Sequence, residues 1–191
     1  MKHYFLGILL TINFLYAEVE NKIMKIAIIG MPGSGKSTLA LELGKKLSLP
    51  VYHLDQYFWK PGWVEPGRAE FAKIHNGLCD KSEWIIDGCA LRFFEYRIQK
   101  ADVIIFIDIS SWTAFYRVFK RVFQNYGKEF FASAKGCPES WPTLKFLKYI
   151  WNFNATQRPE IMRLFDLYKD TKKIIVIKSQ ADYAAIERFL Q

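Results

Sequence analysis

Met24–Ala40 reads MKIAIIGMPGSGKSTLA. Lys25–Ile29 is a short apolar run closed by a glycine, the pattern of a buried strand. Leu39, Leu43 and Leu47 recur four apart and mark one face of a helix. Between strand and helix, Gly30-Met31-Pro32-Gly33-Ser34-Gly35-Lys36-Ser37-Thr38 fits the pattern GxxxxGK(S/T) in the strand–loop–helix context that it requires. Glycines let such a loop turn back tightly, so that several N–H groups point at one anion. The helix that opens at the loop adds unpaired donors and a partial positive charge. Lys36 is placed to reach the β- and γ-phosphates of a nucleotide, and the Ser37 hydroxyl to ligate Mg²⁺. The stretch predicts an ATP·Mg²⁺ site cradled by Gly30, Pro32, Gly33, Ser34, Gly35, Lys36, Ser37 and Thr38.

Outward from this loop, apolar runs alternate with helical patterns. Val51–Leu54, Trp84–Ile86, Val103–Ile109 and Lys173–Ile177 read as four further strands. Phe71, Ile74 and Leu78 mark one helix, and Phe115, Phe119, Val122 and Phe123 another, capped by Ser110 or Ser111. Tyr183–Leu190 reads as a closing helix. The alternation predicts an α/β fold of the P-loop NTPase class: a three-layer sandwich with a five-stranded parallel sheet, helices on both faces and a lid insertion. Two stretches interrupt it. Asp55–Arg68 (DQYFWKPGWVEPGR) is rich in proline, glycine and tryptophan, and Gln124–Arg158 is basic and aromatic, with a helical run at Leu144–Asn154. Long interruptions of this kind serve as lids or binding segments, or pack as ordinary insertions. The second is read as the lid, approximately 124–158.

The chain has 191 residues, enough for one domain with a sizeable core. Its 27 lysines and arginines against 19 acids give a net charge of +8, which suits a polyanion without saying which, or serves solubility. Three cysteines, Cys79, Cys89 and Cys137, form neither a disulfide framework nor a zinc knuckle and suit a reducing compartment. The first 23 residues have a positive start and an apolar run, like a weak export signal, but the run is too short to span a bilayer comfortably. Met24 offers a second start directly before the first strand, so 1–23 is read as a leader or upstream extension and 24–191 as the functional domain. A cytoplasmic location with no stable membrane partner is expected, because the chemistry needs a nucleotide supply.

A magnesium site in this loop wants a carboxylate at a neighbouring strand end. Asp87 ends EWIID and Asp108 ends VIIFID. Asp87 is preferred, because Gly88 permits close backbone approach to a ligand; Asp108 is then left as a helix cap. Arg117 and Arg121 lie four apart, on one helix face, where they either stabilise charge spreading over the transferring phosphoryl group or form a solvated basic face. Arg158, before Pro159 at a helix start, either closes over the phosphates from the lid or is solvated. Asp55 ends the second strand on the ligand-binding side of such sheets. It either orients an acceptor hydroxyl or a metal-bound water, or caps a turn. His53 is read as packed. Trp59 and Trp63 stack on a base or pack internally.

These residues resemble the nucleoside monophosphate kinase class of P-loop proteins, and more closely the FlaR-like family, labelled adenylate kinase-related or DNA topology modulation protein. The resemblance rests on MKIAIIGMPGSGKSTLA, LPVYHLDQYFWKPGW (Leu49–Trp63), EWIIDG (Glu83–Gly88), ADVIIFIDIS (Ala101–Ser110), GCPE (Gly136–Glu139) and WNFNATQRPEI (Trp151–Ile161), and covers nearly all of Met24–Gln191. It implies that Asp87-Gly88 is the strand-end pair of those kinases and that Arg117 and Arg121 touch the donor nucleotide and its phosphates. The sequence departs from an adenylate kinase at Cys89-Ala90-Leu91-Arg92, where that enzyme has Phe-Pro-Arg, and from the closer family, which has Asn-Tyr after the glycine. The single lid cysteine excludes a zinc-bound lid. Two functions stand: an ATP-dependent phosphotransferase acting on a small-molecule or nucleotide acceptor, or a nucleotide-dependent regulator associated with DNA. No helix-turn-helix or zinc motif supports the second, although the aromatic lid leaves stacking on single strands open.

Overall fold

The structure, a computed structural model, describes residues 23–179 together with Asp182, Tyr183 and Ile186. The expectations for the leader and for a closing helix at Tyr183–Leu190 therefore lie largely outside the described residues. Five parallel strands, β1 (Lys25–Gly30), β2 (Val51–His53), β3 (Trp84–Asp87), β4 (Val103–Ile107) and β5 (Lys173–Ile177), form one sheet in the order β2-β3-β1-β4-β5. The register sets Ile28 beside Asp87, His53 beside Asp87, and Gly30 beside Ile107. The loop-bearing strand is thus central, and Asp87 and Asp108 flank it at the same edge.

Strand alternation divides the core into two layers. Ile26, Ile28, Ile85 and Ile105 pack with Leu39, Ala40 and Leu43 of helix α1 (Lys36–Leu47). Ala27, Ile29, Ile86, Ile104 and Phe106 face the other way, onto α3 (Arg68–Cys79), α4 (Phe94–Lys100), α5 (Ser111–Asn125), α6 (Leu144–Thr156) and α7 (Arg158–Tyr168). Burial on both faces explains why the strands read as continuous apolar runs. Each buried isoleucine contributes about 1.5–3 kcal/mol. Among the described residues, no helix is long and apolar enough to cross a membrane.

Three details differ from the sequence reading. The second strand ends at His53, and Leu54–Phe58 forms a short helix, α2, inside the stretch expected to be irregular. Ser110 caps α5 by accepting from the Thr113 amide at 3.1 Å, so Asp108 is no cap. The segment 124–158 divides. Ile150 and Phe153 seat α6 in the core, whereas the irregular part before Thr143 clasps the Asp55–Arg68 stretch. There the Gly62 amide donates to the Gly136 carbonyl at 2.8 Å, Trp63 Nε1 to the Pro138 carbonyl at 3.1 Å, and Gln56 Nε2 to the Phe131 carbonyl at 2.7 Å. The two interruptions of the alternation are one unit in space. Trp59 packs edge-on against Phe58 and Trp63 within it.

His75, on the buried face of α3, is fully buried, with its ring against those of Phe71 and Phe93. Burial, reinforced by the Arg97 cation, pulls its pKa down to about 4. The unfolded chain takes up a proton at His75 near pH 6.5, so it binds more protons than the native state between there and pH 4. Stability is therefore expected to fall by up to ~3 kcal/mol from this residue as pH drops through that window. Urea denaturation of wild type and His75→Phe at pH 7 and pH 5 checks this; the variant should lose less stability on acidification than wild type.

Candidate active site

The turn from β1 into α1 is made by the glycines the sequence supplies. Gly33 has φ +78°, and a Cβ there would lie 2.8 Å from the Ala114 carbonyl oxygen and 3.0 Å from Val118 Cγ2. Helix α5 therefore presses directly on the loop. The first turn of α1 has no side-chain cap, and the first N–H groups of a helix have no intrahelical partner, which leaves them for an anion in the loop. Lys36 and Ser37, half-buried, stand at this turn, and Thr38 is exposed.

Asp87 is buried at the end of β3 and is shared. Ser37 Oγ donates to its Oδ2 at 2.6 Å, and His53 Nδ1 pairs with its Oδ1. His53 is packed as expected, under the edge of the Phe131 ring, yet it also fixes this carboxylate. No local pattern announces that contact; it follows from the pairing of β2 with β3, which sets His53 beside Asp87. A hydroxyl and a carboxylate oxygen, 2.6 Å apart beside a phosphate-type loop, form the hard oxygen donor set that Mg²⁺ takes alongside nucleotide phosphates. Among the described residues there is no cluster of three or more His, Cys, Asp or Glu suited to a metal. Gly88 has another reason than ligand approach: at φ +134°, a Cβ would lie 2.7 Å from Leu54 Cβ, so α2 packs where a side chain would be.

The flanking carboxylate has a different partner. Arg158 forks onto Asp108, with Nε at 3.1 Å from both oxygens and Nη2 at 3.0 Å from Oδ2. This arginine is rooted in the sheet edge at the start of α7, and does not hang from a mobile lid. Arg117 and Arg121 share a helix but diverge. Arg117 Nη1 donates to the Ser34 carbonyl of the loop at 2.9 Å. Arg121 Nε sits 3.0 Å from the buried Glu139 carboxylate, with its guanidinium over the Phe130 ring. Neither atom of the Arg121–Glu139 pair has hydrogen-bond alignment, so the attraction is ionic.

Asp55, on α2, lies at the open side of this group. Its own surface meets solvent, while protein crowds it laterally. That crowding raises its pKa; Lys36 pulls the other way, and Asp87 adds to the rise. Cys89 and Tyr149 border the same place; burial chiefly raises the pKa of each, and both sense Asp55. Cys89 follows the strand-end glycine, and its carbonyl and that of Gly88 accept from Arg97 Nη2 at 3.1 and 2.8 Å. Arg97 is wholly buried, with its pKa pushed down to about 10 chiefly by burial. Sequence inspection missed Arg97 and Tyr149; both sit at ordinary helical positions and only the fold brings them to the β3 turn. On the other side of the loop, a cleft of about 280 Å³ opens between Asp108, Ser110, Arg117, Lys178 and Tyr183. Phosphate loop, oxygen pair, open carboxylate and lateral cleft are thus lined up along one sheet edge, the place where α/β sheets bind ligands.

A protein-family model described as an AAA domain matches residues 26–129. An uncharacterised Bacillus subtilis (strain 168) protein, YqaC, is 27% identical over 119 residues, 60% of this chain and 66% of the relative. The match thus spans slightly less than two thirds of that relative's length. Shikimate kinase from Acinetobacter baumannii, solved in complex with shikimate, superposes with a TM-score of 0.61 over 89% of this chain and 92% of its own, at 12% identity. That likeness confirms the five-stranded α/β P-loop kinase fold. Because the AAA-domain match runs over more than half of the chain and takes in every strand from β1 to β4, the chain belongs to the AAA domain family.

Proposed function

We propose that the protein is an ATP-dependent phosphotransferase that moves the γ-phosphoryl group to a small-molecule or nucleotide acceptor. The observation that carries this is the placement of Asp55: an exposed carboxylate at the start of α2, two residues after His53, which holds the same Asp87 that Ser37 of the loop meets. Binding alone needs only the loop; transfer to a hydroxyl or to water also uses a group beside it that takes the proton, and the acceptor screen separates these two. In this reading the loop amides and Lys36 bind the β- and γ-phosphates, and Arg117 braces the loop through the Ser34 carbonyl. The cleft between Asp108 and Tyr183 takes the nucleoside end. Ser37 and Asp87 would hold Mg²⁺, which when bound neutralises charge on the phosphate oxygens. Asp55 accepts the proton of the attacking hydroxyl, and Arg121, released from its ionic contact with Glu139, meets charge on the transferring group. The nucleoside monophosphate kinase and FlaR-like resemblance supports the same chemistry. Trp59 and Trp63 are engaged in the clasp, whereas the lid tryptophans Trp141 and Trp151, the rings that stacking on a single strand would use, are exposed, so DNA is kept as an arm of the test.

ADP formation by the purified chain over a panel of nucleosides, nucleoside monophosphates, sugars, hydroxy acids and amino alcohols, each with and without DNA, tests the reading. One acceptor class should raise ADP above the ATP-only background, independently of DNA. Turnover that responds to DNA and to no acceptor would assign the protein to regulation instead.

A further inference from the structure

Helix α5 has two faces with different fates. Ala114, Val118 and Val122 are buried against the phosphate loop and core. On the opposite side Trp112, Tyr116, Phe119 and Phe123 run at spacings of four, three and four along one seam. Among the described residues they stay largely open: Trp112, whose ring edge meets Trp151, is 71% exposed, Tyr116 67%, Phe119 39% and Phe123 82%. Trp141, 59% exposed, stands beside them, with its ring 6.2 Å from that of Tyr126, and a shallow groove of about 480 Å³ runs between Tyr116, Phe119, Phe123 and Trp141. At ~150–250 Å² for a fully buried ring, the exposed fractions of Trp112, Tyr116, Phe119, Phe123, Tyr126 and Trp141 together offer roughly 570–950 Å² per chain, close to what one partner gives to a standard stable interface. A monomer seldom leaves a contiguous apolar patch of this size open.

We propose that this seam is the interface of a two-fold dimer, in which α5 packs antiparallel on α5 of a second copy. The seam is its own complement. Laid against itself in reverse about a point midway between Tyr116 and Phe119, it brings Trp112 onto Phe123 of the second copy and Tyr116 onto Phe119, large ring on large ring at every level. Charge also favours a copy over a polyanion. Lys120 is the one cation lining the groove, and the two other basic side chains named on this helix, Arg117 and Arg121, turn inward to Ser34 and Glu139. An anionic membrane or a nucleic-acid strand would meet too little positive charge here. Lys120, next to Tyr116 and Phe119, meets aromatic faces in the dimer, a favourable cation–π arrangement. The same helix presses on Gly33 and braces Ser34, so pairing would fix the roof of the phosphate loop. The inference stands on the surface alone and does not rest on the phosphotransferase reading.

Sedimentation of the full chain at micromolar concentration should show a dimer. Phe123→Glu and Trp112→Lys should each weaken it by at least about 100-fold, because each puts an unpaired charge against an aromatic ring. Mixing these two single variants should restore a heterodimer, in which the new lysine faces the new glutamate, and the double variant should dimerise with itself. Both positions point outward, so folding should survive; Tyr116→Glu with Phe119→Lys provides a second pair if either variant unfolds. A monomeric wild type overturns the proposal, whether it stays free or binds phosphatidylserine vesicles or a single-stranded oligonucleotide. So does a dimer indifferent to both charges, or two variants that fail to restore each other.

Discussion

Lys36→Ala is expected to fold like the wild type, to bind ATP·Mg²⁺ about 10- to 100-fold more weakly, and to lose at least ~1,000-fold in turnover. The loop supplies backbone N–H dipoles, but Lys36 is its one full charge. A charge-assisted hydrogen bond to phosphate contributes about 1.5–3 kcal/mol to binding, which sets the affinity loss. The turnover loss is larger because negative charge shifts toward the bridging and γ-oxygens as the phosphoryl group leaves. Lys36 is half-buried, and its ammonium serves no cap or ion pair among the described residues, so its removal should leave the melting temperature nearly unchanged. Titration calorimetry and ADP release, both against a thermal melt, check the three parts. A folded variant that binds ATP as wild type does would remove Lys36 from the phosphate site.

Asp55→Asn should separate binding from chemistry. ATP affinity should change by less than about threefold, whereas turnover falls about 100- to 10,000-fold, the range for removing a positioned general base. The pH profile carries the sharper signature. Asp55 accepts a proton only when ionised, and crowding raises its pKa above the ordinary carboxylate value near 4. Turnover should therefore decline as pH falls through that raised value, and this acid limb should be missing in the residual activity of the variant. The stability sign is opposite to that of His75. A raised carboxyl pKa means that the native state binds the proton more readily than the unfolded chain, so the ionised Asp55 weighs against folding at neutral pH. Asp55→Asn is expected to be at least as stable as wild type. A variant that loses activity and stability together would instead make Asp55 a structural turn residue.

The architecture was legible because it depends on local patterns. Apolar runs of the right length, glycines in the loop and leucines four apart each constrain the backbone near themselves, and their order leaves a parallel sheet as the way to bury every strand. That Asp87 and not Asp108 meets Ser37 of the loop depends on contacts that the local pattern around Gly88 does not contain. Gly88 makes room for Leu54, while Ser37 and His53 are what meet the carboxylate. What the sequence hid is long-range pairing. Nothing in Arg158-Pro159 announces Asp108, fifty residues earlier, and the i, i+4 spacing of Arg117 and Arg121 says nothing of the Ser34 carbonyl or of Glu139. The basic segment 124–158 looked uniform, yet Ile150 and Phe153 commit its second half to the core while Phe131, Gly136 and Pro138 commit its first half to the loop after β2. Charge and aromatic content are shared by both halves; burial is not, and burial decides which half is a cover.

The central claim, phosphoryl transfer to an acceptor, is tested most directly by following the γ-phosphate of ATP itself. Radiolabel at that position, incubated with the chain, Mg²⁺ and the acceptor class that raises ADP, should appear in a new phosphorylated product, in amounts equal to the ADP formed and absent with Lys36→Ala. Label recovered only as inorganic phosphate, at the same rate with and without acceptor, would contradict the account and make the protein an ATPase.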